Sequence, residues 1–416
     1  MATRALHVVP ADAPGAVISD PGNFTPYYVD ALCSGLRRLD VHTWVVSSPP
    51  LFSVVDPGGR YQVRHCFFPA LKGRLGRVLR HRTRLRQAVK ALAYPAGIWR
   101  TWRILADQPA GVLHVQWALV PLLDGLLARA LQARGWRIVY TVHDPLPGPG
   151  RPLAAWHHRR FLRRADALIV HTPAIRQALV AGYPEVAGRV HVIPHGGISH
   201  PLPTEADRAS ARLRLRLEVD RPLLLLFGMI KPYKGLEDLL AAMPGILARV
   251  PRCRLVVAGE ALMPMQSIER QIERLRLGDA VVLRPGFVPD AEVGAYFTAA
   301  DLVVAPYRDI AASGVVVTAQ GYGRAVLVTR VGGLPEFVEP DACGIVVPPR
   351  DPDALAKATG RALADPEALD RMGRRAWKRI ARAHDWTDVA RQTLALYQAV
   401  RLAQPESRPA WRSIAR

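Results

Sequence analysis

Cysteine is scarce in this chain: Cys33, Cys66, Cys253 and Cys343 are the four in 416 residues, with no C-x-x-C pair and no regular spacing. That pattern excludes a disulfide framework and a thiolate zinc site, and a reducing cytoplasm is the expected setting. Long apolar runs are lacking as well. The best one, Trp117 to Leu123, is broken by Asp124, well short of the ~18 residues that a membrane helix needs. The N-terminus enters a strand-like run, Ala5 to Val9, without the basic-then-apolar design of a secretory signal. Aromatic residues make up 7% against 50% hydrophobic, so the core must be built mainly from Val, Leu and Ala. Lysine is rare too, with 6 against 50 arginines, which fits a GC-rich coding bias as well as any function.

Acidic residues are missing most clearly from the first half. Residues 1–200 hold 25 basic and 10 acidic residues, a charge of +15, and residues 201–416 hold 31 and 25, a charge of +6. Between Leu71 and Arg103 ten cations, from Lys72 and Arg74 through Lys90 to Arg103, occur without one acid. Apolar residues at Leu71, Leu75, Val78, Leu85, Val89 and Leu92 recur every three, four or seven positions and mark one stripe of a helix that Pro95 and Gly97 are expected to limit. We expect this stretch to touch an anionic membrane surface, with Trp99 and Trp102 at the interface. The alternative is a helix that packs its stripe on its own domain. No nucleic-acid-binding motif accompanies the charge.

At this length two domains are expected. Apolar runs alternate with helical patterns: strands are predicted at Ala5–Val9, His42–Val46, Val112–Gln116, Arg137–Val142, Leu168–His171 and Val190–Ile193, then, after a linker at 201–221, at Leu223–Phe227, Arg254–Ala258, Ala280–Leu283, Leu302–Ala305, Ala325–Thr329 and Gly344–Val347. The fold class is α/β: two doubly wound, Rossmann-like domains, 1–200 and 222–385, facing across a cleft. A last helix over 386–402 and a mobile tail over 403–416 complete the chain. Ligands of such sheets sit beyond the carboxyl ends of the strands. The loops to watch are therefore Pro10–Pro26 (with Gly22 and Asn23), Trp117 onward, His143-Asp144, His171-Thr172 and Pro194–Gly197.

In the second half Phe227-Gly228-Met229-Ile230-Lys231-Pro232-Tyr233-Lys234-Gly235 puts two lysines three apart just before a helix. Cations at the positive end of a helix dipole are unfavourable unless an anion is present, so the segment points to a diphosphate. A second helix N-terminus is expected near Ser313-Gly314, with free N–H groups for the same anion. Two metal-like patterns are decoys. Asp351-Pro352-Asp353 reads as a helix cap, and His157-His158 lacks a third ligand.

The order of these segments resembles the family-4 glycosyltransferases of the GT-B class. The matching stretches are Phe227–Gly235, Val256–Gly259, Pro285–Val288 and Val303–Val338 with its Gly-Gly-Leu-Pro-Glu, together with Thr141–Asp144, Ala165–His171 and Ile193–Gly196. The resemblance implies retaining, metal-independent transfer of a sugar from a UDP- or GDP-sugar to a glycan or lipid-linked glycan, in cell-surface polysaccharide or glycolipid synthesis. No cofactor is implied, and the setting is cytoplasmic, peripheral on the inner membrane face. By the same resemblance Lys231 and Lys234 hold the diphosphate with Gly228, Ser313 and Gly314, Glu336 adds a contact, and His143 lies between donor and acceptor, with Gly22, Asn23 and His195 on the acceptor side. The last helix would cross back to the first domain. One departure stands out: the family's paired glutamates fall at Ile310 and Thr318, and Asp309 is the nearest substitute. Two other readings remain open, a catalytically silent nucleotide-binding scaffold and a GT-B epimerase or phosphorylase.

Overall fold

The computed structural model describes residues 15–50, 55–69, 83–144, 152–338 and 343–403. Seven strands form the first sheet: β1 (Ala16–Asp20), β2 (Thr43–Ser47), β3 (Gln62–His65), β4 (Val112–Val115), β5 (Arg137–Thr141), β6 (Ala167–Val170) and β7 (Val190–Val192). They are all parallel, in the order β3-β2-β1-β4-β5-β6-β7. The second sheet, β8 (Leu223–Phe227), β9 (Arg254–Gly259), β10 (Val281–Pro285), β11 (Leu302–Ala305), β12 (Ala325–Thr329) and β13 (Gly344–Val347), has the order β10-β9-β8-β11-β12-β13, again parallel. Both orders reverse direction beside the first strand of the sheet, which opens a crevice at the carboxyl ends of β1/β4 and of β8/β11. The central strands are buried on both faces and read as apolar runs rather than alternating ones.

The helices are α1 (Pro26–Arg38), α2 (Thr83–Ala106), α3 (Pro121–Gln132), α4 (Pro152–Arg164) and α5 (Pro173–Gly182), then α6 (Glu205–Arg214), α7 (Leu236–Leu247), α8 (Gln266–Arg274), α9 (Asp290–Ala299), α10 (Gly314–Gly321), α11 (Leu334–Val338), α12 (Pro352–Ala364), α13 (Pro366–Ala383) and α14 (Trp386–Leu402). Asp351 does cap a helix, accepting from Ala354 N–H at 2.9 Å. The final helix α14 returns to the first domain. Trp386, Val389, Ala390, Tyr397 and Val400 are buried with Tyr28, Val29, Leu32 and Leu36 of α1 against the face of the first sheet.

Three expectations change. The run Ala5–Val9 lies outside the described residues, and β1 is instead Ala16–Asp20, inside the segment read as a loop, because its apolar Ala-Val-Ile core fits between β2 and β4. Edge strand β3 has no apolar alternation and is specified by pairing with β2. Helix α2 runs through Pro95 and Gly97 rather than stopping there, with Gly97 against the Phe67 ring and its carbonyl accepting from the Thr101 hydroxyl at 2.9 Å. Of the basic stretch, residues 70–82 lie outside the described residues, as do 404–416 of the tail, whereas the Ala403 carbonyl accepts from Arg137 at 2.5 Å.

Candidate functional site

The wall contributed by the second domain is set by three loops. After β8 the chain turns at Gly228, whose φ of 93° is closed to side-chain-bearing residues at little cost. A tight turn at Pro232–Lys234 then leads into α7. Lys234 is buried, 6% exposed, with its Nζ donating to the Tyr307 hydroxyl at 2.7 Å and lying 4.4 Å from that ring's centroid. The same hydroxyl is 3.5 Å from Ser313 Oγ. Ser313 is the residue before α10, and its side chain does not cap the helix. The first-turn N–H groups of α10 therefore keep their capacity for an anion. Lys231 is half-buried, and burial, then Lys234, lower its pKa, with Asp144 opposing. Two ammonium groups, a serine hydroxyl and a helix N-terminus thus converge on one volume, as expected for a diphosphate.

The facing wall is built from the carboxyl ends of β1, β4, β5, β6 and β7. Asp20 ties the loop after β1 into a ring, accepting from Phe24 N–H at 3.0 Å, Thr25 N–H at 2.9 Å and the Thr25 hydroxyl at 3.1 Å. Gly22 and Asn23 sit in that pinned loop, Asn23 in the left-handed region at φ 52°. Phe24 meets Trp117 edge-on at 5.7 Å, Trp117 Nε1 donates to Thr25 Oγ1 at 3.3 Å, and Trp117 stacks on His143 at 4.7 Å. The structure therefore brings the Gly22–Asn23 loop and His143 to one place.

Around Tyr28 lie His143 at 5.6 Å, His171 at 5.6 Å, His195 at 5.2 Å and Trp386 at 4.9 Å, centroid to centroid. Burial keeps these imidazoles neutral: it holds His143 well below its ordinary value, His171 at about 3 and His195 at about 4. His195 reaches the other domain, since a β-carbon built on Gly314 would lie 4.0 Å from its Nε2. Among the described residues no group of three or more His, Cys, Asp or Glu is placed to hold a metal.

The proton on His143 can be assigned from its partners. Gln116 Nε2, which can only donate, meets His114 Nε2 at 3.2 Å, and the Thr141 hydroxyl meets the same nitrogen at 2.7 Å. Burial holds His114 at about 3, so it is neutral and its proton is on Nδ1, donated to the Tyr397 hydroxyl at 2.6 Å. Gln116 Oε1 then accepts from His143 Nε2–H at 3.1 Å. His143 therefore keeps a lone pair on Nδ1. A buried chain from α14 through β4 fixes the tautomer of the cleft histidine.

The acidic groups have separate roles. Asp144 has an open surface, yet its carboxyl is crowded by the opposite wall. Its pKa is raised by burial and then by Asp309 and lowered by Lys231, so these three groups share the cleft. Arg308, beside Asp309, is committed to Asp238 through two bonds of 2.7 and 2.6 Å. Ile310 is packed partly into the core of the second domain, and the half-buried Thr318 turns its hydroxyl back to the Gly314 carbonyl at 2.8 Å. Glu336, expected at the donor, accepts from Ala174 N–H with its two oxygens at 3.0 and 3.1 Å and so bridges to the first turn of α5. The domains are close there. A β-carbon on Gly333 would be 2.5 Å from Thr172 Oγ1, so any side chain there would have to displace Thr172.

Two family models match the chain in succession: "Glycosyltransferase Family 4" over residues 26–196 and "Glycosyl transferases group 1" over residues 221–365. A D-inositol 3-phosphate glycosyltransferase of Streptomyces griseus is 31% identical over 96% of this chain and 88% of that one. The chain belongs to the family-4 glycosyltransferases. A second D-inositol 3-phosphate glycosyltransferase, from Segniliparus rotundus, is 32% identical over 58% of this chain and 54% of its own length. A GDP-mannose-dependent alpha-(1-6)-phosphatidylinositol monomannoside mannosyltransferase of Mycolicibacterium smegmatis is 30% identical over 71% and 77%. Among solved structures, sucrose-phosphate synthase from Thermosynechococcus elongatus superposes with a TM-score of 0.74 at 23% identity, covering 92% of this chain and 98% of that one, which supports the GT-B fold.

For this family-4 enzyme, reading the sequence missed Tyr307, Gln116, His114 and Tyr28. Tyr307 and Gln116 sit one or two residues past strand ends, a positional signal that was available. The convergence of His114 with Tyr397, 283 residues away, carried no local signal.

Proposed function

We propose that this glycosyltransferase moves a sugar from a nucleotide diphosphate sugar to a glycan or lipid-linked acceptor, with retention and without a metal. The observation that carries the reading is the cluster of Lys234 Nζ, the Tyr307 hydroxyl and Ser313 Oγ at the open N-terminus of α10. Cleavage of the sugar–phosphate bond puts charge on the diphosphate. Lys231, Lys234 and the helix N-terminus lie where they would stabilise it, the part a divalent ion plays in other designs. In this mechanism the leaving phosphate helps to take the proton of the acceptor hydroxyl, which attacks on the same face. His143, through its Nδ1 lone pair, orients a hydroxyl beside the reacting carbon. Asp309 is the acid nearest the positions of the absent glutamates and stands in for one of them at the donor.

UDP and GDP are the expected donor nucleotides. A GDP-mannose-dependent relative and the Anabaena HepE protein solved with UDP-glucose (TM-score 0.71, 18% identity) support the two choices. A membrane-borne acceptor is favoured by one side of the first domain. There Leu92 and Trp99 of α2, Leu126 of α3 and Trp156 of α4 are exposed, with Arg103 over Trp99 and Arg160 over Trp156. No described helix is long and apolar enough to cross a membrane.

Calorimetric titration with UDP, GDP and ADP, repeated on Lys234→Ala, tests the donor site. Selective binding of one nucleotide, lost in the variant, supports it. Full turnover in EDTA is expected, and strict Mg²⁺ or Mn²⁺ dependence would refute the metal-free mechanism. Co-sedimentation with anionic vesicles at low salt tests the membrane face, and no binding would remove it. Ile310 and Thr318 favour one alternative, a silent nucleotide-binding scaffold. Nucleotide binding without transfer to any acceptor would establish that reading instead.

A further inference from the structure

Away from the cleft, where β8, β11 and β12 begin, the second domain has a half-open cavity of about 220 Å³, far more than a single water needs. Four arginines line it, Arg208, Arg212, Arg221 and Arg324, against the three acids Asp220, Asp301 and Asp370. The acids are already engaged. Asp301 accepts from Arg208, from Arg212 at 2.7 Å and from Leu223 N–H at 2.7 Å, while Asp220 pairs with Arg252 at 2.5 Å and Asp370 with Arg374 at 2.6 Å. Arg324 is left over. It is 5% exposed, donates only to the backbone carbonyls of Tyr322 at 3.3 Å and Ala300 at 3.2 Å, and forms no ion pair among the described residues. Burial and then Arg208 push its pKa down to about 10. Asp301 and Asp370 oppose that shift from a distance, but neither bonds the guanidinium. A buried guanidinium without a direct ion pair is costly, and nothing in glycosyl transfer uses this one.

We propose that this cavity is a binding site for a small phosphate-bearing anion, held by Arg324 and completed by the remaining N–H groups of Arg208, which pairs with Asp301 and Glu205, and of Arg221, which pairs with Glu218 at 2.9 Å. Guanidinium forks match the oxygens of a phosphate in pairs, which chloride cannot reproduce. The position gives the site a consequence. Arg208 and Arg212 lie on α6, the first helix after the chain crosses between domains. Leu369 and Asp370 lie on α13, which ends at the return crossing, where the His384 carbonyl accepts from Gly197 N–H at 2.8 Å. An occupant therefore ties together the segments on which the two domains hinge.

The test is thermal-shift and calorimetric titration of the full chain with inorganic phosphate and with glucose 6-phosphate. Each is compared with sodium chloride at equal ionic strength and repeated on Lys234→Ala, which removes phosphate binding at the donor site. We expect a rise in Tm of several degrees at about 10 mM ligand, retained in Lys234→Ala and abolished in Arg324→Gln. The phosphate arm reads the free anion and the second arm a sugar phosphate, and binding of either supports the site. Should Arg324→Gln fail to fold, Arg208→Gln decides, with an expected loss of at least tenfold in affinity. Equal shifts with chloride, loss of binding in Lys234→Ala, or unchanged binding in the arginine variants would each overturn the proposal.

Discussion

Replacing Glu336 by alanine should loosen the closed arrangement of the two domains. In the first turn of α5, Pro173 has no N–H, Ile175 N–H is taken by Thr172 Oγ1 at 3.3 Å and Arg176 N–H by the Thr172 carbonyl at 3.1 Å. Ala174 N–H alone in that turn finds its acceptor in the other domain, in the carboxylate of Glu336. A hydrogen bond to a charged group contributes about 1.5–3 kcal/mol, and an anion at a helix N-terminus adds about 0.3–1 kcal/mol. Glu336 is half-buried, so solvent screening argues for the lower part of the sum. A net loss of about 2 kcal/mol lowers the ratio of closed to open molecules roughly 30-fold. We expect Glu336→Ala to lower kcat/KM about 10- to 30-fold, and to lengthen the distance between fluorophores placed on the two domains, with little change in Tm. Glu336→Gln keeps an acceptor without the charge and should fall between. A raised donor KM with an unchanged interdomain distance would refute this reasoning and return Glu336 to the donor site.

Three further outcomes follow from the same geometry. Gln116→Leu removes the acceptor that orients His143, so kcat should fall about 10- to 100-fold with donor KM unchanged; an unaltered kcat would remove Gln116 from the site. Tyr307→Phe deletes the hydroxyl between Lys234 and Ser313 and should weaken nucleotide binding about 3- to 10-fold, against complete loss of transfer in Lys234→Ala; equal effects of the two would contradict the separate role of the ammonium. Acid should destabilise the fold, because His114, His171 and His195 have folded values of about 3 to 4, below the ordinary 6.5. Their contribution is complete above about 6.5 and is lost as pH falls toward the folded values. Asp124, raised by burial to about 7, works in the opposite sense and loses its contribution as pH rises through 7. His143, His158, His191 and His200 are lowered by burial in the same way, and Asp20 and Asp144 are raised like Asp124. With seven imidazoles against three carboxyls, Tm should drop between pH 6.5 and 4.5, and a flat profile would show that the histidines are not neutral in the fold.

The second sheet, most of the first and the loops that carry Lys231, Lys234 and Ser313 could be read from the chain because their signals are local. The second-domain strands are short apolar runs ended by Gly or Pro, and Lys231, Lys234 and Ser313 owe their placement to the turn and helix that immediately follow them. Strand β1, Ala16–Asp20, lies where the sequence suggests a loop, because a short run between Pro and Gly residues carries a weak local signal and its pairing with β2 and β4 is what makes it the central strand. Glu336 was legible as a residue of the cleft but not by its partner, which lies 162 positions away and is a backbone N–H that any residue but proline would offer. The same holds for Gln116, whose importance comes from standing between two histidines that neither period nor spacing connects.

The return of α14 to the first domain bears on how the protein is made. Tyr28, Leu32 and Leu36 on α1 are covered by Trp386, Val389 and Tyr397. On a ribosome adding 5–20 residues per second, the roughly 350 residues between those groups take roughly 20–70 s to emerge. For that interval the nascent first domain carries an apolar face that only the end of the chain can close. The face of its sheet, though encoded first, is covered last, and a ribosome that stalls within the second domain releases a product with that face open to chaperones or to aggregation.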